Sequence, residues 1–581
     1  MARISAASLL KNNIQFIPFS IFSMYKIASR IVFLFLISSK ISLAQLSFSW
    51  ANKVKSNHGG NDYALAVTCD ASGNVMVAGA YEGTIDLNNS ASNYWISSQG
   101  NYDIYLAKYD TSGNFIWGKS FGGALKDKAY TLESDAQGNI YISGSCSRDC
   151  DFDGSHAITQ LPSSVAINDS LIFLAKYNNQ GNLIWVKGMS GNGYGHGRNI
   201  KVASNGDVLL CGNFNGSIDF DPSAATNLLS TSNVTETDFF MAKYTSSGDL
   251  IWVKQIGGIQ KDEVHGLAMD ANENYYLTGF FMSSVDFDPG VGTSSLTAPT
   301  NIQSFYLAKY DVNGNLLWLN YGNNPLSASG NSIAISTTGA LYVVGQFLGG
   351  LTVANAGTTI SLAGISTVRT FVLKFTSSDT IIWGKALTGH GNYSIATSPS
   401  NAVYISGSET NSLLKYIRLT KLDSLGTIGW QQVLGMNSYV NEGADVCVSP
   451  QGKVIHVGYF QNTVDFNPSS LQTNNLRSKY LNSSFIASYN ESNSFNWAVS
   501  TADDSTATIQ VPDILEKDAF GNVYLSGQHQ GNIGTNPLLD SLGNTVIPYG
   551  FNGFYITKYG ANRAQKWNID IGGSGNCRSR S

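Results

Sequence analysis

The sequence predicts an all-β chain, a single β-propeller of four-stranded antiparallel blades, eight by count with seven as the alternative. Three observations predict it. Nine tryptophans, Trp50, Trp117, Trp185, Trp252, Trp318, Trp383, Trp430, Trp497 and Trp567, recur at gaps of 65–70 residues with one gap of 47, and only Trp95 falls outside the series. A period of this length with strand-like content marks a propeller or a solenoid. Each unit holds four short apolar runs, and two of its connections are tight turns of the form D-x-x-G-N. The composition agrees, because charged residues make up only 13% of the chain, against roughly 25% in ordinary soluble domains.

The unit between Trp117 and Trp185 shows the order of parts. The runs "AYTLES" and "NIYISG" are two strands joined by "DAQGN". An irregular stretch containing "DFDG" follows. The runs "LIFLAKY" and "NLIWVK", joined by "NNQGN", complete the unit. In each turn an Asp or Asn bonds the backbone ahead of it, and the Gly takes the positive φ that closes a bulged hairpin. The pattern stands at Asp70/Gly73, Asp110/Gly113, Asp135/Gly138, Asn178/Gly181, Asp311/Gly314 and Asp518/Gly521. "TSSDT" after Phe375 and "NESNS" after Tyr489 lack the Gly, which predicts looser turns there.

Both faces of the strands are apolar, as in "DIYLAKYD", which is what a sheet sandwiched between two neighbours needs. The first strand of each unit carries small residues such as Ala64 and Ala66, suited to the crowded position nearest a propeller axis. The tryptophan strand is then outermost. Its tryptophan (Trp117, Trp185, Trp252, Trp318, Trp383, Trp430, Trp497, Trp567) is expected to dock blade on blade, and the Lys after it (Lys119, Lys187, Lys254, Lys385) fits an exposed edge. Full units run from about 60–121 to about 505–570. Trp50 offers an extra outer-type strand that competes with the Trp567 strand for the last blade.

The combined pattern, D-x-x-G-N-x-Y-x-x-G, then V-D-F-D-P-G, then F-x-A-K-Y-D-x-x-G-N-x-x-W-x-K, resembles the SBBP beta-propeller repeat family of secreted bacterial proteins. The resemblance covers nearly all of residues 46–574. It implies a seven-bladed ring where the count here is eight, and the order of elements is also similar to NHL-type propellers.

The chain ends extend the secretion reading. Residues 24–44 read as a signal peptide: Lys26 and Arg30 form a basic head, Ile31 to Ile37 are apolar, and Ser42-Leu43-Ala44 fits a cleavage site. The apolar run is far short of the ~18–20 residues of a membrane span, so no transmembrane anchor is expected. Residues 1–23 read as an upstream extension from a mis-assigned start. Residues 45–574 form the repeat region, with units of about 67 residues. Residues 575–581 read as the truncated start of a further repeat. A secreted or cell-surface monomer is the expectation.

Without residues 1–44 the chain has 30 Lys and Arg against 40 Asp and Glu, a net charge of −10. No basic patch stands out, so nucleic acid is not an expected partner. Cys146 and Cys150, in "SCSRDC", read equally as a disulfide formed after export or as two free thiols. No CxxC or HExxH motif is present. The turn motif differs in spacing from the Asp-box of sialidases and from the repeated motif of quinoprotein propellers, and G-x-S-x-G is absent. His196 and His390 read as loop residues. No catalytic residue and no resident cofactor are assigned.

Two acidic sets remain. Asp149, Asp151 and Asp153 alternate in "DCDFDG", with Asp219/Asp221 in "IDFDP" and Asp286/Asp288 in "VDFDPG" as related pairs. Alternate carboxylates on an extended chain project to one side and are candidate Ca²⁺ ligands. As ends of extended arms they also fit plain backbone capping, the favoured reading. Asp62, Asp127 and Asp262 open the inner strand, where they would either ring one mouth of the central channel or cap backbone. The long arms and Gly-Gly crossovers share the face opposite the tight turns, and such loops usually carry binding. The expected function is a non-catalytic scaffold for a protein or glycan partner. The alternatives are a propeller enzyme of polysaccharide metabolism and a purely structural envelope module.

Overall fold

The computed structural model describes residues 51–573, apart from 55–62, 154–170, 389–393, 436–440, 478–482, 501–508, 518–521, 531–537, 540–544, 547–551, 560–564 and gaps of one to three residues. The signal peptide, the extension before it, Trp50, Asp62, His390 and residues 575–581 lie outside the described residues.

Among the described residues the structure is all β and contains no helix. The long strands group into eight antiparallel meanders of four, each paired in chain order. They occupy 63–121, 128–191, 195–256, 263–323, 327–387, 394–434, 442–500 and 509–573, blades 1 to 8 below. First strands of successive blades pack against each other, and Tyr63–Cys69 of blade 1 also meets Ile509–Lys517 of blade 8, so the ring closes as a β-propeller. The short gap between Trp383 and Trp430 has a simple cause: blade 6 has no arm strands between Val403–Asn411 and Leu414–Leu422.

The two outer-type strands of the last blade do not compete. Ala51–Val54 lies outside Gln565–Gly573 and pairs with it in parallel, Ala51 opposite Asn568 and Val54 opposite Ile571. The Gln565–Gly573 strand has one edge on its own blade and one edge free, so a fifth strand adds to it without displacing it.

Burial follows the two-sided pattern. Asp103–Tyr109, Leu171–Tyr177, Asp238–Tyr244 and Ser304–Tyr310, the third strands of blades 1 to 4, are buried at every residue. The turns without glycine are not looser. Thr376 N donates to Thr380 O at 2.9 Å and Asn490 N to Ser494 O at 2.9 Å, matching Asp311 N to Asn315 O at 2.9 Å. Asp379 and Asn493 take the left-handed position at φ 78° and 68°. Asp and Asn tolerate that region because their short polar side chains bond locally, which the expectation of loose turns overlooked.

Candidate functional site

The motif residues are used mainly at blade joints. Five tryptophans donate their indole N–H to a backbone carbonyl in the next blade's tight turn: Trp117 to Asn179 O at 3.0 Å, Trp185 to Ser246 O at 3.0 Å, Trp252 to Val312 O at 3.1 Å, Trp383 to Ser424 O at 3.1 Å and Trp430 to Glu491 O at 3.1 Å. Trp318 stacks on Phe375 of blade 5, with ring centroids 5.8 Å apart. The side chains of Trp497 and Trp567 lie outside the described residues. Lys119, Lys187, Lys254 and Lys385 are half-buried rather than fully exposed. Two of them reach the next blade, Lys187 to Asp249 at 3.4 Å and Lys385 to Gly426 O at 2.6 Å.

This geometry gives the turn glycine a second reason. At Gly181, φ is +76° and a Cβ would lie 2.6 Å from the Trp117 ring. At Gly206, in a first-to-second-strand turn, φ is +86° and a Cβ would meet no ring face, only Ser246 Cβ at 3.1 Å and the Tyr141 hydroxyl at 3.9 Å. An L-residue in this region costs about 1–2 kcal/mol, and displacing a packed ring adds about 1–3 kcal/mol. Gly181→Ala is therefore expected to destabilise more than Gly206→Ala in chemical denaturation, and Gly181→Asn, which copies Asn493, less than Gly181→Ala. Equal losses for both alanine variants would remove the ring contact from the argument.

A third set was missed at the sequence level. The lysines of the "AKY" strands are buried: Lys108 is 1% exposed and Lys243, Lys309 and Lys176 are 4%, 6% and 8%. Lys108 Nζ donates to Asp70 Oδ2 at 2.7 Å within its blade and also to Asn179 Oδ1 in blade 2. Lys309 lies 3.4 Å from Asp379 of blade 5, and Lys421 donates to Glu491 O of blade 7 at 2.6 Å. Lys176, Lys309, Lys374 and Lys421 each sit over a tyrosine ring of their own blade at 4.8–5.7 Å. The available signal was a Lys recurring in strands that are apolar on both faces.

The arms join blades too. Asp151 bridges Gly122, Asp219 pairs Ser190 and Asp286 bridges Gly257, in each case an arm meeting the end of the preceding blade's outer strand. The Phe between the two acids is buried at Phe152, Phe220 and Phe287, and Phe466 is its equivalent in blade 7. Each Phe carbonyl accepts a tyrosine hydroxyl: Tyr177 OH to Phe152 O at 3.0 Å, Tyr244 to Phe220 at 3.1 Å, Tyr310 to Phe287 at 3.0 Å and Tyr489 to Phe466 at 3.1 Å.

The candidate Ca²⁺ ligands cap this arm. Asp219 Oδ1 accepts from Asp221 N and Asn227 N at 3.1 and 2.8 Å, and Asp286 Oδ1 from Asp288 N and Ser294 N at 3.0 and 2.8 Å. Asp221 accepts from Ser223 N, Asp288 from Gly290 N, Asp151 from Asp153 N and Asp149 from Ala124 N. Among the described residues no three His, Cys, Asp or Glu side chains gather as a metal-holding group.

The two inner-strand acids among the described residues, Asp127 and Asp262, cap crossovers. Asp127 and Asp262 are fully buried. Asp262 accepts from Gly258 N at 2.8 Å and Met282 N at 2.9 Å, which ties the crossover to the arm. Asp127 does the same with Gly123 N at 2.7 Å and Ser147 N. In blade 7 Asn441 accepts from Gln461 N at 2.8 Å. Beside them, Asp103 and Asp238 lie under Gly122 and Gly257, so close that a Cβ on either glycine would overlap the carboxyl. Burial pushes Asp103 and Asp238 up to about 7, Asp127 to about 6 and Asp262 to about 8.

Cys146 and Cys150 are buried free thiols in mutual side-chain contact, and burial raises both above the ordinary value. His196 is not in a loop: it lies on the first strand of blade 3, its ring 5.3 Å from Tyr130.

Among the described residues, two grooves lie between an arm and an outer strand. In blade 7 a groove of about 620 Å³ runs between the arm, 467–474, and the tight turn and outer strand, 492–496. In blade 2 a groove of about 390 Å³ involves the corresponding elements and is lined by Lys119, Asp153, Ile184 and Trp185 among others.

No family model matches the chain. It is similar to an uncharacterized WD repeat-containing protein of Acanthamoeba polyphaga mimivirus, 24% identical over 333 residues, which is 48% of this chain and 24% of that protein. It is also similar to the regulatory protein FlaEY of Caulobacter vibrioides, 26% identical over 229 residues, 38% of this chain and 23% of that protein. The matched segments thus span about a quarter of these curated relatives. Among solved structures, Sqt1 from Chaetomium thermophilum aligns with 82% of this chain and 96% of its own at 9% identity and a TM-score of 0.41. The chain is a repeat protein with a β-propeller fold.

Proposed function

We propose that this chain is a non-catalytic binding scaffold of the SBBP type, exported to the cell surface or beyond, that holds a glycan or protein partner. One observation carries the reading. The repeated acids, lysines, tyrosines and tryptophans, which would be the first suspects for chemistry, are largely engaged at blade joints and caps. The exposed arm residues differ from blade to blade, as with Leu228, Val291 and Leu471, which is the usual arrangement of a binding scaffold. The resemblance of the repeat to SBBP propellers supports the family and the export.

The test is a binding screen on the full chain purified from its native cell fraction, using a glycan array and cross-linked cell-surface extracts. Saturable retention of a defined partner without turnover is the expected result. Release of new reducing ends from any polysaccharide would make it an enzyme, and no retention of either class would make it a structural module.

A further inference from the structure

We propose that the blade 7 groove is a binding site for neutral carbohydrate, an inference that rests on the scaffold reading and names its ligand. Among the described residues its lining contains no charged side chain. An ionic ligand would therefore find no counter-charge there, whereas amides and hydroxyls, which both donate and accept, match the vicinal hydroxyls of a sugar. Gln472 and Thr473 are exposed on the arm, and no side-chain hydrogen bond of either is found among the described residues. Asn474 also lines the groove, and its Oδ1 is buried without a partner. Phe495 is half-buried, held edge-on by Tyr489 at 5.9 Å, and offers an apolar surface for the C–H face of a sugar ring.

Blade 7 also departs from the repeat at the groove wall. Just before the outer-strand tryptophan, blades 1 to 5 carry an exposed aliphatic residue: Ile116, Ile184, Ile251, Leu317 and Ile382. Blade 7 carries Asn496 in that place, on the groove wall. The scaffold accepts an aliphatic side chain there five times, so packing does not require the amide. Asn496 Nδ2 donates to Ser488 Oγ at 3.3 Å within the blade. The groove also sits at a rigid place, because Asn493 Oδ1 accepts from Gln432 Nε2 of blade 6 at 2.6 Å. A wall held by a neighbouring blade loses little conformational freedom on binding.

The test uses affinity electrophoresis of the full chain through gels containing dextran, laminarin or galactomannan, with alginate as the charged comparison. Retardation by at least one neutral polymer and not by alginate is expected. Asn496→Ile, which restores the residue of blades 1 to 3 and 5, and Gln472→Ala are each expected to weaken it by about tenfold, ~1.4 kcal/mol, with unchanged melting temperature. Neutral polymers that retard both variants as strongly as the parent would sink the groove and leave the scaffold reading standing. Retardation by alginate alone, or capture of a protein partner with no polysaccharide bound, would also overturn the groove and not the scaffold. No binding of any kind would overturn both.

Discussion

Lys108→Ala is expected to lower the stability of the folded chain by about 3–5 kcal/mol, the cost of stranding one member of a buried ion pair. Lys108 and Asp70 have side chains 1% and 4% exposed, at 2.7 Å. Burial alone would raise Asp70, yet hydrogen bonds from Lys108 and Asn74 more than offset it and hold its pKa below the ordinary value. Removing the ammonium leaves a carboxylate that water reaches poorly. The same deletion takes away the contact with Asn179, so it also loosens the joint between blades 1 and 2. Asp70→Asn should cost less, because Asn keeps an acceptor for Ser72 N and Asn74 N. The double variant should recover part of the Lys108→Ala loss. A double-mutant cycle in urea reads this coupling directly. A loss below about 1 kcal/mol, the range of exposed pairs, would show that the site is solvated.

The second large effect is an inverted dependence on pH. Five aspartates, Asp103, Asp127, Asp238, Asp262 and Asp445, the last on the first strand of blade 7, have folded pKa values pushed up to about 7, 6, 7, 8 and 6 by burial. A carboxyl raised in this way binds its proton more tightly folded than unfolded. Its contribution is present in full below the unfolded value of about 4 and is lost as pH rises through the folded value. Each site contributes on the order of a few kcal/mol, and the backbone N–H bonds to Asp127 and Asp262 temper the loss. The opposite set includes Asp70 and other lowered carboxylates, Glu263, held down at about 2 by His265 and Lys261 against its burial, and His456, lowered to about 3 by burial. Those contributions are present above their unfolded values, about 4.3 for Glu and 6.5 for His, and are lost as pH falls through the folded ones.

Five raised acids outweigh one buried histidine between pH 4 and 8. Thermal melts at constant ionic strength should therefore show the highest transition near pH 4–5 and a steady fall toward pH 8. Asp262→Asn, which installs the residue that blade 7 uses at Asn441, should flatten part of that fall. A transition temperature that climbs from pH 5 to 8 would show that these carboxyls are ionised in the folded chain throughout.

The arms show how a local pattern misleads. In "VDFDP", alternate carboxylates look like a ligand set because an extended chain puts them on one side. In the fold each first Asp accepts backbone N–H groups of its own arm, and the Phe between the acids enters the core. The preceding blade's outer strand supplies the pairing partner, and nothing within the arm itself announces that strand. Asp127 and Asp262 repeat the lesson, since their capping partners Ser147 and Met282 lie twenty residues on.

By itself the sequence determined the strands, the tight turns, the repeat and the order of inner and outer strands. These follow from contacts within a few residues: side chains alternating along a strand, and an Asp or Asn bonding the backbone two and four residues ahead. Only the tertiary structure decided what the charged and aromatic residues do. Trp117 and Lys108 find Asn179 at separations of 62 and 71 residues, one blade further round the ring. It also placed the N-terminal strand outside the last blade and an uncharged groove on blade 7. The physical reason is that a repeat fixes each blade from within, whereas the joint between two blades exists only once the ring brings their edges together.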